Sequence, residues 1–116
     1  MRKEEIKQVP KVWGEELWLV NSDKYCGKLL TINKGAQSSY HYHKIKEETF
    51  YCLYGQVTLV IEGKTFVMDS MASPKTIEAG EKHSFKGIKS SVLLEISTHH
   101  DDEDVVRLEE SRAGVA

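Results

Sequence analysis

The chain has 116 residues, 40% hydrophobic and 29% charged, with a net charge of −2 at pH 7; that is enough for one domain, expected over residues 1–116, and too little for two. No basic stripe stands out to bind a nucleic-acid backbone. MRKEEIKQV is too charged for a signal peptide and no stretch approaches bilayer length, so the expectation is a cytoplasmic protein without a membrane partner.

Residues 1 to about 10 read as a flexible or edge-pairing arm ending at Pro10. KVWGEELWLVN alternates bulky and polar positions around Trp13, Leu17 and Trp18, which makes a strand. Both tryptophans are expected to pack in the core or an interface, and Asn21-Ser22-Asp23 to turn the chain. Tyr25 to Asn33 is the next strand, closed by Lys34-Gly35. Within it Lys28 shares a face with Leu30 and Ile32, so it either reaches into a pocket or, more ordinarily, caps an edge and snorkels to solvent. Cys26 and Cys52 lack C-x-x-C spacing and are expected to be separate reduced thiols.

The densest chemistry lies between Gly35 and Gly55. His41 and His43 are one residue apart, so on an extended strand both imidazoles leave the same face. Glu48 follows the connection KIKE, and two adjacent antiparallel strands would bring the three side chains together. Nitrogen and oxygen donors of this kind suit manganese, iron, nickel, cobalt or zinc without choosing among them. Far downstream, IEAGEKHSF offers His83 as a fourth donor.

Beyond Gly55, Glu62-Gly63-Lys64 marks a tight turn between two strands, and MASPKTIEAGEKH reads as loop. HSFKGI and SVLLEIST supply the last two strands. Many short strands at close intervals mean a sandwich or barrel. From about residue 99 the chain turns acidic, where Asp101 to Asp104 would cap a short helix over VVRLEE. His99 and His100 suggest a second metal site less readily than a solvated helix start, and the last few residues are expected to be disordered.

Glu95 has two possible orientations. Pointing inward, it would be a carboxylate beside a divalent cation, suited to abstract a proton next to a polarised carbonyl. The opposite face, with Val92, Leu94 and Ile96, would then need cover, and a homodimer partner is the natural one. Pointing outward, Glu95 would simply be solvated.

Gly35-x5-His41-x-His43-x4-Glu48-x6-Gly55 resembles the first motif of the cupin superfamily at every defining position, and Glu78-Ala79-Gly80-Glu81-Lys82-His83 resembles the second. The second departs in having Glu78 where proline is usual and Gly87 where asparagine is expected. The resemblance implies an all-β double-stranded β-helix, a jelly-roll barrel, followed by the short helix or acidic tail. It also implies a metal held by His41, His43, Glu48 and His83. The opening WGEELW, then GKLLTINKG with Gln37 upstream of the histidine pair, then EIST and VVRLE look most like the small sugar-isomerase cupins. These include the cupin module of mannose-6-phosphate isomerases and the lyxose isomerases. The implied reaction interconverts an aldose and a ketose, with Glu95 and Lys28 as catalytic groups and Gln37 or Lys28 touching a sugar hydroxyl or phosphate. An iron-dependent dioxygenase and a non-catalytic small-molecule-binding module remain alternatives, because the superfamily hosts all three.

Overall fold

A computed structural model describes residues 1–114, so the disorder expected at the extreme C-terminus falls partly on 115–116, outside the described residues. Eleven strands occur among them: β1 (Lys7–Lys11), β2 (Gly14–Asn21), β3 (Cys26–Ile32), β4 (Tyr40–His43), β5 (Glu48–Tyr54), β6 (Val57–Ile61), β7 (Lys64–Met68), β8 (Lys75–Ile77), β9 (His83–Gly87), β10 (Ser91–Ser97) and β11 (Val105–Glu109). All pairings are antiparallel. One sheet has the order β1-β2-β3-β10-β5-β8 and the other β11-β4-β9-β6-β7, the two halves of a jelly roll. No helix among the described residues is long and apolar enough to cross a membrane.

The alternation of the strands sets what lies between the sheets. Along β3 the buried positions are Cys26, Lys28, Leu30 and Ile32; along β10 they are Ser91, Leu93, Glu95 and Ser97. Register aligns like with like, Leu93 across from Leu30 and Glu95 across from Lys28. The interior therefore divides lengthwise. One part is apolar, with Leu30, Ile32, Cys52, Leu59 and Leu93, and its aromatic seam sets Trp13 edge-on to Phe85 at 4.9 Å. The other part is polar and holds Lys28, Glu48 and Glu95. Cys26 and Cys52 are both free and buried.

Three expectations change. The segments bearing His41–His43 and Glu48 do not pair with each other: β4 belongs to one sheet and β5 to the other, so KIKE is a corner crossing the sandwich. Their side chains meet because both strands face the same interior. Next, the supposed loop 71–83 contains β8, which pairs with β5. Third, 105–109 is a strand. Asp101 does act as an N-cap, accepting from the Glu103 amide, but it caps only a single 3₁₀ turn, Asp102–Asp104. The β-branched pair Val105-Val106 then adds to the open edge of β4, and sheet pairing outweighs the capping signal. The N-terminal arm takes the edge-pairing form of the two expected, as β1 at the edge of the first sheet, paired with β2 along Lys7–Lys11.

Two corners depend on glycine. Gly55, at φ +83°, leads from β5 into β6 across the sheets, and a Cβ there would collide with Ser90 and Ser91. Gly63 at φ +77°, with Glu62 at +48°, makes the two-residue β6–β7 turn that the sequence indicated.

Candidate metal centre

His41, His43, Glu48 and His83 each offer a donor atom, and these atoms lie within 4.8 Å of one another. His41 and His43 leave β4 on one face, with their rings 5.1 Å apart. β9 lies next to β4 and places His83 directly opposite His41. Glu48, the first residue of β5, reaches in from the other sheet. Hydrogen bonds fix the tautomers of two imidazoles. His41 Nδ1–H donates to the Ser39 carbonyl at 2.9 Å and His83 Nδ1–H to the Glu81 carbonyl at 2.8 Å. Each therefore keeps a lone pair on Nε2, the arrangement seen in metal-binding histidines.

What the pocket lacks in internal partners argues for a cation. His83 Nε2 and both oxygens of Glu48 are buried with no hydrogen bond of acceptable geometry; His43 Nδ1 is orphaned too, but it stands 4.0 Å from Asp104 Oδ2, and the Nε2 of that ring is the atom 3.7 Å from Glu48. His83 Nε2 nevertheless stands 2.6 Å from Glu48 Oε1, an approach without donor alignment. Buried polar atoms left in this way need an explanation, and a cation shared by His83 Nε2 and the Glu48 carboxylate supplies one for those three. The donor set fits a divalent transition metal and leaves its identity open. Electrostatics agree. Burial pulls His41 down to about 4 and His43 to about 3, so both are neutral at pH 7, as ligands to a cation must be. Burial alone would raise Glu48, but the His83 contact and the Lys46 ammonium outweigh it and hold the carboxylate well below its usual range. Burial would likewise lower His83, and its contact with Glu48 raises it instead.

The four donors line a cavity of about 260 Å³ whose wall also includes Lys28, Lys46, Glu95, His100 and Arg107. Glu95 points inward and is 4% exposed. Lys28, at 1% exposed, does not snorkel; it faces the cavity. Lys46, which the sequence did not single out, is the hub of this wall. Its ammonium lies 2.9 Å from Glu95 Oε2, 3.1 Å from Glu48 Oε2 and 3.0 Å from His100 Nδ1. Since an ammonium only donates, His100 Nδ1 accepts and its Nε2–H donates to Asp102 at 2.8 Å. From Glu48 through Lys46, Glu95 and Lys28 to Glu16, charges alternate across the interior, with the last two gaps at 4.0 and 3.3 Å. Burial would lower Lys46, but Glu95 and Glu48 raise it. Burial and the charge of Glu48 push Glu95 up, against the pull of both lysines.

A signal for Lys46 was present: Lys46, Glu48, Phe50 and Cys52 alternate in step, so the inward parity of β5 begins before the strand does. Gln37, expected to touch substrate, is not in the cavity wall. Its backbone pairs with Arg112, exchanging two bonds of 2.8 Å, and bridges to Lys86. His99 and His100 form no second metal group among the described residues; His99 Nδ1–H donates to the Ser22 carbonyl and His100 belongs to the cavity.

No family model matches the chain. A D-lyxose/D-mannose isomerase from Thermosediminibacter oceani is 32% identical over 72% of this chain and 61% of its own, so the match spans about three fifths of that relative's length. Among solved structures, the capsular polysaccharide assembling protein CapF from Staphylococcus aureus superposes with a TM-score of 0.80 at 14% identity, covering 92% of this chain and 32% of CapF. KdgF from Halomonas sp. gives 0.74 at 12% identity over 86% of this chain and 90% of its own. Both neighbours are cupins, and likeness at such low identity speaks for architecture. The fold of this chain is that of the cupins.

Proposed function

We propose that the chain is a metal-dependent sugar isomerase that interconverts an aldose and a ketose, or an epimerase using the same proton transfer, acting on free or phosphorylated sugars. One observation carries the reading: Glu95, a carboxylate outside the ligand set, is buried in the wall of the same cavity with two ammonium groups beside it. The likeness to a D-lyxose/D-mannose isomerase supports it. A divalent cation held by His41, His43, Glu48 and His83 would polarise the substrate carbonyl. Glu95 takes the proton from the carbon next to that carbonyl and returns it to the neighbouring carbon, while the hydroxyl proton passes to the former carbonyl oxygen. Glu95 is held in place by Lys46, whose ammonium donates to it at 2.9 Å. Lys28 offers a cationic donor to a substrate oxygen. Metal analysis of protein purified without oxygen, followed by a panel of pentoses, hexoses and their phosphates, tests this. Manganese, nickel, cobalt or zinc with turnover is expected, and Glu95→Gln should keep the metal and lose turnover. Iron with substrate-dependent oxygen uptake, or polyol binding with no turnover, would refute it.

We further propose a homodimer through the outer face of the first sheet. Leu17, Leu29, Leu94 and Tyr51 form an unbroken row across four strands there, and Ile96 beside them is 56% exposed. Sedimentation should show a dimer that Leu94→Glu dissociates; a wild-type monomer at tens of micromolar would refute it.

A further inference from the structure

The WGEELW strand carries two side chains that the proposed chemistry leaves unused, Glu16 and Trp18. They stand two apart on β2 and so share a face. Register sets Trp18 directly across from Lys28 and Glu16 across from Leu30, so the two flank the same lysine. Lys28 Nζ is 3.3 Å from Glu16 Oε1 and 4.3 Å from the centre of the indole. The indole Nε1–H donates to that same Glu16 oxygen at 2.7 Å, and His100 packs edge-on to Trp18 at 5.0 Å. At a surface such contacts would contribute little. Here the ammonium is sealed in the cavity wall, 4.0 Å from Glu95. A lysine side chain has many rotamers, and its four-carbon stem leaves the charge free to collapse onto Glu95 unless something holds it.

We infer that Glu16 and Trp18 are positioning residues, a carboxylate and a ring that clamp the Lys28 ammonium as a fixed donor in the cavity wall, aimed at a ligand oxygen away from the metal donors. The clamp stands on geometry alone; that its target is a polyol oxygen rests on the isomerase reading. Both parts are separable in full-length protein. With ¹⁵N-lysine labelling, the Lys28 Nζ–Hζ cross-peak, assigned by its absence in Lys28→Met, is expected upfield of the other lysines under the indole ring current. Glu16→Gln, which keeps an acceptor, should retain it. Glu16→Ala and Trp18→Leu should return it to the ordinary position or lose it to solvent exchange. A cross-peak unmoved by Glu16→Ala overturns the clamp. The second arm measures xylitol binding to metal-loaded protein by calorimetry. Glu16→Ala should weaken it about tenfold in the wild-type background and not at all in Lys28→Met, because one charged hydrogen bond is lost and only through the lysine. A loss that persists in Lys28→Met overturns the inference, since Glu16 would then act by itself. Absence of alditol binding by wild type would count against the isomerase reading, while the cross-peak still decides the clamp.

Discussion

Lys46→Met removes one charge from the most crowded part of the interior and changes little else. The residue is 3% exposed, and methionine keeps most of its length and volume, so apolar burial is nearly preserved. What disappears is the cation standing 2.9 Å from Glu95 and 3.1 Å from Glu48. Two buried carboxylates then share one chamber, and breaking a buried pair in this way costs about 3–5 kcal/mol. For a domain of this size that loss lowers the melting temperature by roughly 10–20 °C. The assay is urea and thermal unfolding monitored by circular dichroism, with chelator at pH 7.5, so that no metal masks the exposed charge on Glu48. Adding Glu95→Gln to Lys46→Met should restore part of the loss, because one of the two anions that Lys46 bridged has gone and the other no longer faces a second negative charge. A Lys46→Met protein within about 1 kcal/mol of wild type under chelator would refute the charge chain as described.

The same chamber sets two further outcomes. Changing both His41 and His43 to alanine should abolish metal binding, read by equilibrium dialysis, and leave a folded sandwich, since the apolar core lies apart from both rings. Unfolding of that variant in chelator, with wild type still folded, would make the cation structural instead. Metal-free protein should also lose stability as pH falls from 7 to 5. His41, His43 and His100 hold folded values of about 4, 3 and 4 because they are buried, against 6.5 when exposed. The unfolded chain therefore binds more protons, and each of these groups removes up to about 1.4 kcal/mol per pH unit below 6.5. His83, shifted upward by Glu48, offsets part of that. A urea midpoint that rises between pH 7 and 5 would contradict the sign.

The sequence made the candidate ligands legible because strand parity is local. One intervening residue puts His41 and His43 on a common face whatever the rest of the chain does. It could not show that β4 and β5 lie in different sheets, since turn composition does not say whether a corner closes a hairpin or crosses a sandwich. Lys44 and Lys46 look alike in KIKE, yet one is exposed and the other buried, and only the inward parity running back from Glu48 separates them. The tail misled for a related reason: Asp101 is a true cap, but the unpaired edge of β4 draws residues 105–109 into a strand. Glu16 and Trp18 read as ordinary strand residues until cross-strand register set them around Lys28.

Three of the four donors ride on one sheet, and Glu48 alone comes from the other. Any sliding of the layers past each other would carry the imidazoles together and strand the carboxylate, so the anionic ligand is the one that senses the gap. A guest large enough to prise the layers apart would loosen the ion at that single oxygen donor first. Retention of a cation by these four side chains would thereby be tied to how far the cavity is stretched.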